Sequence, residues 1–289
     1  MTRLVRRCGP LSPVAFAFAF TCAFVCAFAC ATAAAQDYER EARWAEQTLQ
    51  GLVVGDAVWL QQRDGHRFLA LYTPAAQARG AVVIAHGRGW SPDHDLYGAL
   101  RTKLAEAGYS TLSIQMPVLS GTAKVGDYLP TFPDASERFA LATAWLRGKG
   151  FGKLAIVSHS LGATMANYYL IHNDGGSDSA TDRANANANA SNPDNPKVDA
   201  WVFISIINGL EDMFRIHVPV LDVFGSNDWD VTRVGAGERL KQLSANPGSE
   251  QVVVQGAEHF FETQQDQLTK LIAAFLDRTL QPRRGAASR

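Results

Sequence analysis

The chain has 289 residues, of which 47% are hydrophobic and 19% charged, with a formal net charge of −1. That is enough apolar material for one sizeable core. No basic stripe or aromatic-basic interleaving occurs, which speaks against nucleic acid as a partner.

Residues 1–35 begin with Arg3, Arg6 and Arg7 and no acid, run through VAFAFAFTCAFVCAFACA and end in small residues. A basic head, an apolar middle and an A-x-A end predict a secretory signal peptide, cleaved after Ala35 to leave Gln36 first. As a membrane anchor the run is short, diluted by alanine and followed directly by the cleavage site. Cys30 follows Ala29, but Ala27 stands where a lipidation site places a larger aliphatic residue, and Arg6-Arg7 lacks the rest of a twin-arginine signal. All four cysteines (Cys8, Cys22, Cys26 and Cys30) lie in this segment. The processed chain then has no disulfide, no thiol nucleophile and no cysteine metal ligand, as suits a bacterial periplasm or secretion. Removal of the three arginines leaves 24 basic against 28 acidic residues, a net charge of −4.

Residues 37–50 have helical composition. DAVWLQQ and RFLALYTP, with the turn residues Arg63-Asp64-Gly65 and then His66 between them, predict a β-hairpin at the sheet edge. Apolar, β-branched runs at 80–87, 109–116, 153–160, 198–207, 218–225 and 250–256 then alternate with helical patterns at 94–107, 133–149, 161–172, 232–245 and 262–279. This alternation predicts an α/β fold: a doubly wound, mostly parallel sheet with helices on both faces and an antiparallel N-terminal edge hairpin. Residues 36–282 form one domain in this reading, followed by a disordered tail at 283–289. Within it, 173–197 is rich in Asn, Ala, Asp and Ser and reads as a flexible surface insertion. Counting the two hairpin strands, only NGLEDMFRIH joins the sixth and seventh strands, so no large cap domain is expected there.

Polar residues directly after the apolar runs are the candidates for chemistry, because ligands collect at the carboxyl ends of parallel strands. These are His86, Ser160, Asp228 and His259. IVSHSLGAT runs from a strand into a helix, the setting of a nucleophile elbow, although Ser158 replaces the first glycine of G-x-S-x-G. The order Ser160, Asp228, His259 suits a serine nucleophile, a carboxylate that orients the base, and the base itself. Asp222 and Asp230 are fallbacks for the carboxylate. The backbone N–H groups of Leu161 and Arg88 are candidate oxyanion donors. Gly87, Trp90 and Trp229 are a candidate substrate pocket, with simple packing an equal reading for the two tryptophans. The Arg88 side chain fits an ion pair with Asp93 or Asp95 better than an anion-binding role. His159 fits a packed or supporting role, and Phe260 and Phe261 an anchor for the histidine loop. His66, His94, His172 and His217 have no neighbours at ligand spacing, so no metal is expected, and no cofactor is expected because the Ser160, His259 and Asp228 set with its oxyanion donors would complete the chemistry.

AHGRG, SHSLG, FGSND and GAEHFF, in this order, resemble the α/β-hydrolase superfamily. With the export signal and the RWAEQTLQGLVVGDAVWL opening, the chain resembles secreted proteobacterial α/β-hydrolase-like proteins of uncharacterised function, over roughly residues 37–280. The resemblance implies a Ser-His-Asp hydrolase acting on a small-molecule, ester-like substrate. Amidase, thioesterase or peptidase activity on the same residues, or a non-catalytic binding or envelope-associated protein of this fold, are the alternatives. Protein partners are not indicated.

Overall fold

The computed structural model describes residues 36–172, 198–207 and 209–280. The expected signal peptide, the 173–197 insertion and the 283–289 tail lie outside the described residues. In chain order the elements are α1 (Tyr38–Gly51), β1 (Asp56–Gln61), β2 (Arg67–Thr73), β3 (Ala81–Ala85), α2 (Leu96–Glu106), β4 (Ser110–Ile114) and α3 (Phe132–Gly148). There follow β5 (Leu154–His159), α4 (Leu161–Ile171), β6 (Ala200–Ile204), β7 (Val220–Gly225), α5 (Asp230–Val234), α6 (Ala236–Ser244), β8 (Glu250–Val254) and α7 (Gln265–Leu280).

The strands form one sheet in the order β1-β2-β4-β3-β5-β6-β7-β8. β1 pairs antiparallel with β2, and β2 with β4. All pairings from β4 through β3 to β8 are parallel. The doubly wound, mostly parallel sheet expected from the sequence is present. Between β6 and β7 the described residues hold only a short 3₁₀ turn, Met213–Arg215, and no cap domain.

Central strands are apolar throughout because helices cover both faces. Val83, Ala85, Ile156, Trp201 and Phe203 face Phe139 and Leu146 of α3 and Met165 of α4. The alternate residues Val82, Ile84, Val157, Val202 and Val223 face Leu100 and Leu104 of α2 and Ile272 and Phe275 of α7. Each fully buried Val, Leu, Ile or Phe contributes roughly 1.5–3 kcal/mol, and the two layers together hold the sheet rigid. Helix α1 is tied down by polar contacts. Asp37 caps it at Arg40 N, and Glu41 pairs at 3.0 Å with Arg138, which is fully buried and also donates to Gln62.

Two elements depart from expectation. The predicted helix 232–245 is broken at Gly235 into α5 and α6. The apolar run 198–207 stays in the sheet only to Ile204, because Ser205 takes φ +52 and turns the chain out. No described helix is long and apolar enough to cross a membrane.

Candidate active site

Loops leaving the carboxyl ends of β3, β5, β7 and β8 meet on one edge of the sheet. At the end of β5, Ser160 adopts φ +55 and ψ −124, with its N–H donating to the Ile204 carbonyl at 2.9 Å. A non-glycine residue in this region costs on the order of 1–3 kcal/mol and persists only where its surroundings enforce it. Gly162 is part of that enforcement: a Cβ there would come 2.3 Å from the His86 carbonyl oxygen. The position that departs from the usual pattern has its own explanation. Trp201 is fully buried, and its indole N–H must find an acceptor. Ser158 Oγ is that acceptor at 2.9 Å, and it passes its own proton to the Val202 carbonyl at 3.2 Å.

Ser160 Oγ lies 3.1 Å from His259 Nε2, and His259 Nδ1 lies 2.7 Å from Asp228 Oδ1. All three side chains are buried. Asp228 Oδ1 also accepts from the Trp229 N–H at 2.7 Å, and Oδ2 accepts from the Ser205 hydroxyl. Burial by itself pushes the Asp228 carboxyl up, but the hydrogen bonds from His259, Ser205 and Trp229 outweigh it and hold the group below the usual range. The fallback carboxylates are engaged elsewhere. Asp222 takes Arg239 at 2.8 Å and Gln251 at 2.7 Å, while Asp230 pairs with Arg233.

The loop after β7 is sewn to the loop after β8. Asn227 N donates to the Ala257 carbonyl at 2.9 Å and Gly256 N to Ser226 Oγ at 2.8 Å. Gly225 permits this: a Cβ there would come 2.1 Å from the Ala257 oxygen. Trp229 lies flat on the His259 ring, centroids 3.6 Å apart and planes 6° apart, with half of its surface exposed. Phe261 is fully buried and anchors the histidine loop, and the edge of Phe260 meets His259.

On the loop after β3, Gly87 is a place of close approach. A Cβ there would lie 3.1 Å from both His159 Nδ1 and the Ser160 Cβ. Leu161 is the first residue of α4, so its N–H is one of the groups that a helix start leaves without an intrahelical partner. Arg88 makes neither expected ion pair: it donates to the Ala123 carbonyl at 2.8 Å. Asp93 pairs instead with Arg101 at 2.6 Å, and Asp95 accepts from Gln265 at 3.1 Å. Trp90 stacks on His94, centroids 3.9 Å apart, and meets Phe260 edge-on, which places it one ring away from His259. His66 bonds Glu41 at 3.0 Å. No group of three or more His, Cys, Asp or Glu suited to a metal occurs among the described residues.

Sequence reasoning did not find Ser205 or Tyr97. The polar Ser205 inside the apolar run VFISII was a usable signal, whereas Tyr97 carries none.

A family described as "Protein of unknown function (DUF3530)" matches residues 22–137. No curated protein matches the chain in sequence. Among solved structures, the chain is similar to a dienelactone hydrolase from Anabaena variabilis at 20% identity and TM-score 0.55, covering 78% of this chain and 98% of that one. It is similar to an α/β serine hydrolase without lid from Xanthomonas campestris at 15% identity and TM-score 0.55, covering 78% and 95%. It is also similar to a propionate-bound esterase from Thermogutta terrifontis at 14% identity and TM-score 0.57, covering 78% and 94%. The chain therefore has the α/β-hydrolase fold.

Proposed function

We propose that this protein is an exported serine hydrolase, a carboxylic-ester hydrolase acting on small or soluble esters through an acyl-enzyme on Ser160. The observation that carries the reading is the unbroken chain from Ser160 Oγ through His259 to Asp228, at 3.1 and 2.7 Å, built on a serine held at φ +55. In this reading Ser160 Oγ attacks the ester carbonyl while His259 Nε2 takes its proton. Asp228 holds the Nδ1–H tautomer and stabilises the imidazolium. The N–H groups of Leu161 and Arg88 receive the oxyanion, where donors fixed in advance cost no reorganisation. His259 returns the proton to the departing alcohol. A water, activated by the same imidazole, then attacks the acyl-enzyme and frees Ser160. The face of Trp229 on the imidazole holds the ring in one plane. No cofactor takes part in this scheme.

The short connection between β6 and β7 supports an open site and hence short or water-soluble esters. The similar structures described as esterases support an ester over an amide or thioester. The non-catalytic alternative rested on Ser158, and that serine answers to Trp201. Export to the periplasm or beyond rests on the sequence of residues 1–35.

The test is hydrolysis of a panel of esters by the processed chain and by Ser160→Ala. The reading expects turnover of soluble acetyl or butyryl esters that vanishes in the variant. Faster hydrolysis of an emulsified long-chain triglyceride would overturn the open-site part. Equal rates for wild type and Ser160→Ala would overturn the whole.

A further inference from the structure

We propose that Tyr97 and His159 form a buried strut that sets the oxyanion loop and the base loop at a fixed separation, making both positioning residues for the reaction. The proposal rests on the roles given above to Arg88 and His259.

The direction of every bond in the strut follows from what each group can donate. His159 Nε2 lies 2.9 Å from the backbone oxygen of His259. A carbonyl only accepts, so Nε2 carries the proton and Nδ1 is bare. Nδ1 lies 2.9 Å from the Tyr97 hydroxyl, which must therefore donate to it. The same hydroxyl oxygen accepts the Gly87 N–H at 2.9 Å. The run is thus Gly87 N–H to Tyr97 O–H to His159, and His159 N–H to the His259 carbonyl. It joins the loops after β3, β5 and β8 through α2, and all its members are buried. Burial pushes the His159 imidazole down to about 3 and the Tyr97 hydroxyl up, so the strut keeps its protons across neutral pH.

Its ends lie where alignment matters. The Gly87 carbonyl accepts from His86 Nδ1 at 2.8 Å, and His86 Nε2 accepts the Met116 N–H at 2.9 Å. That carbonyl and the Arg88 N–H belong to one planar trans peptide and point in opposite directions. With its carbonyl pinned by His86 and the preceding N–H pinned by Tyr97, the Gly87–Arg88 peptide has one orientation, and so has the Arg88 N–H. At the other end the strut holds the backbone of His259, so the imidazole reaches Ser160 from a fixed point. Interactions that are aligned before the transition state and needed only there affect kcat and leave KM alone.

Tyr97→Phe keeps the ring and deletes the hydroxyl, leaving the Gly87 N–H and His159 Nδ1 unpaired. With active sites counted by fluorophosphonate labelling, kcat per site for a soluble butyryl ester should fall about tenfold, as expected for a loss of this kind, with KM within about twofold. The affinity of a phenylboronic acid, which forms a tetrahedral anion on the serine, should fall by the same factor. A purely structural role would reduce the number of labelled sites and leave kcat per site unchanged, and that result would overturn the proposal. Nitrogen NMR of the wild-type chain gives a second reading independent of how the variant folds. His159 should remain the Nε2–H tautomer from pH 5 to 9, and an Nδ1–H tautomer or a titration in that window would also overturn it. A wild type that neither labels nor turns over any ester would instead defeat the proposed function, while the NMR result would still decide the strut.

Discussion

Two imidazoles sit side by side at the edge of the sheet, their centroids 4.8 Å apart: His159, the last residue of β5, and His259 in the loop after β8. Both are about 1% exposed, so burial does not distinguish them. Their partners do. His259 has a serine hydroxyl on Nε2 and, on Nδ1, a carboxylate that compensates a positive charge on the ring. His159 has a phenol on Nδ1 and a backbone carbonyl on Nε2, and neither compensates a positive charge. One environment suits a base and the other suits a rigid connector. What a buried histidine can do is set by the charge of the group on its far nitrogen.

The contrast can be broken from either side. His259→Ala should cost the most, about 10⁶-fold in kcat, because in the proposed mechanism nucleophile and base act as a unit. Turnover of a soluble ester, measured on protein with unchanged melting, checks it. Asp228→Asn turns the partner of Nδ1 into a neutral amide that can favour the wrong tautomer. It should cost about 10⁴-fold in the same assay.

Acid probes the connector environment in another way. His86 and His159 are each pushed by burial to about 3, below the ordinary histidine value of 6.5. The unfolded chain therefore binds two more protons than the folded one between these values. Stability is full above pH 6.5 and falls below it, by about 2–3 kcal/mol per pH unit. Urea midpoints from pH 7 to 4 would follow that slope, and a flat profile would contradict it. Asp228 acts in the same direction at lower pH. Its depressed carboxyl adds stability that is lost only as pH falls below the ordinary 3.8. Trp229→Ala sharpens the comparison least, since the indole is half exposed. Losing this aromatic stacking, about 0.5–1.5 kcal/mol, should reduce kcat about two- to tenfold, read in the same ester assay.

The order of strands and helices was legible because a sheet covered on both faces must be apolar at consecutive positions, and Val82, Val83 and Ile84 are. The meeting of Ser160, Asp228 and His259 was legible for a related reason. Parallel strands deliver their carboxyl ends to one edge, so polar residues just beyond apolar runs converge. Less could be read where a contact depends on competition among side chains. Arg88 and Asp93 are close in sequence, but Arg101 holds Asp93 with two nitrogens, at 2.9 and 2.6 Å. The break at Gly235 replaces one long predicted helix with two short ones, and no periodicity marks it. Tyr97 looks like any apolar-face residue of α2, and only the fold brings its hydroxyl to Gly87 and His159. Ser158 was the reverse case: a visible departure from a motif, explained only when Trp201 appears across the β5–β6 pairing.

The most direct test of the central claim is to label the processed chain with a fluorophosphonate and locate the adduct by peptide mass spectrometry, with Ser160→Ala alongside. An activated nucleophile predicts one adduct, on Ser160, absent from the variant. A folded wild type that takes no label, or carries it on another residue, would contradict the account.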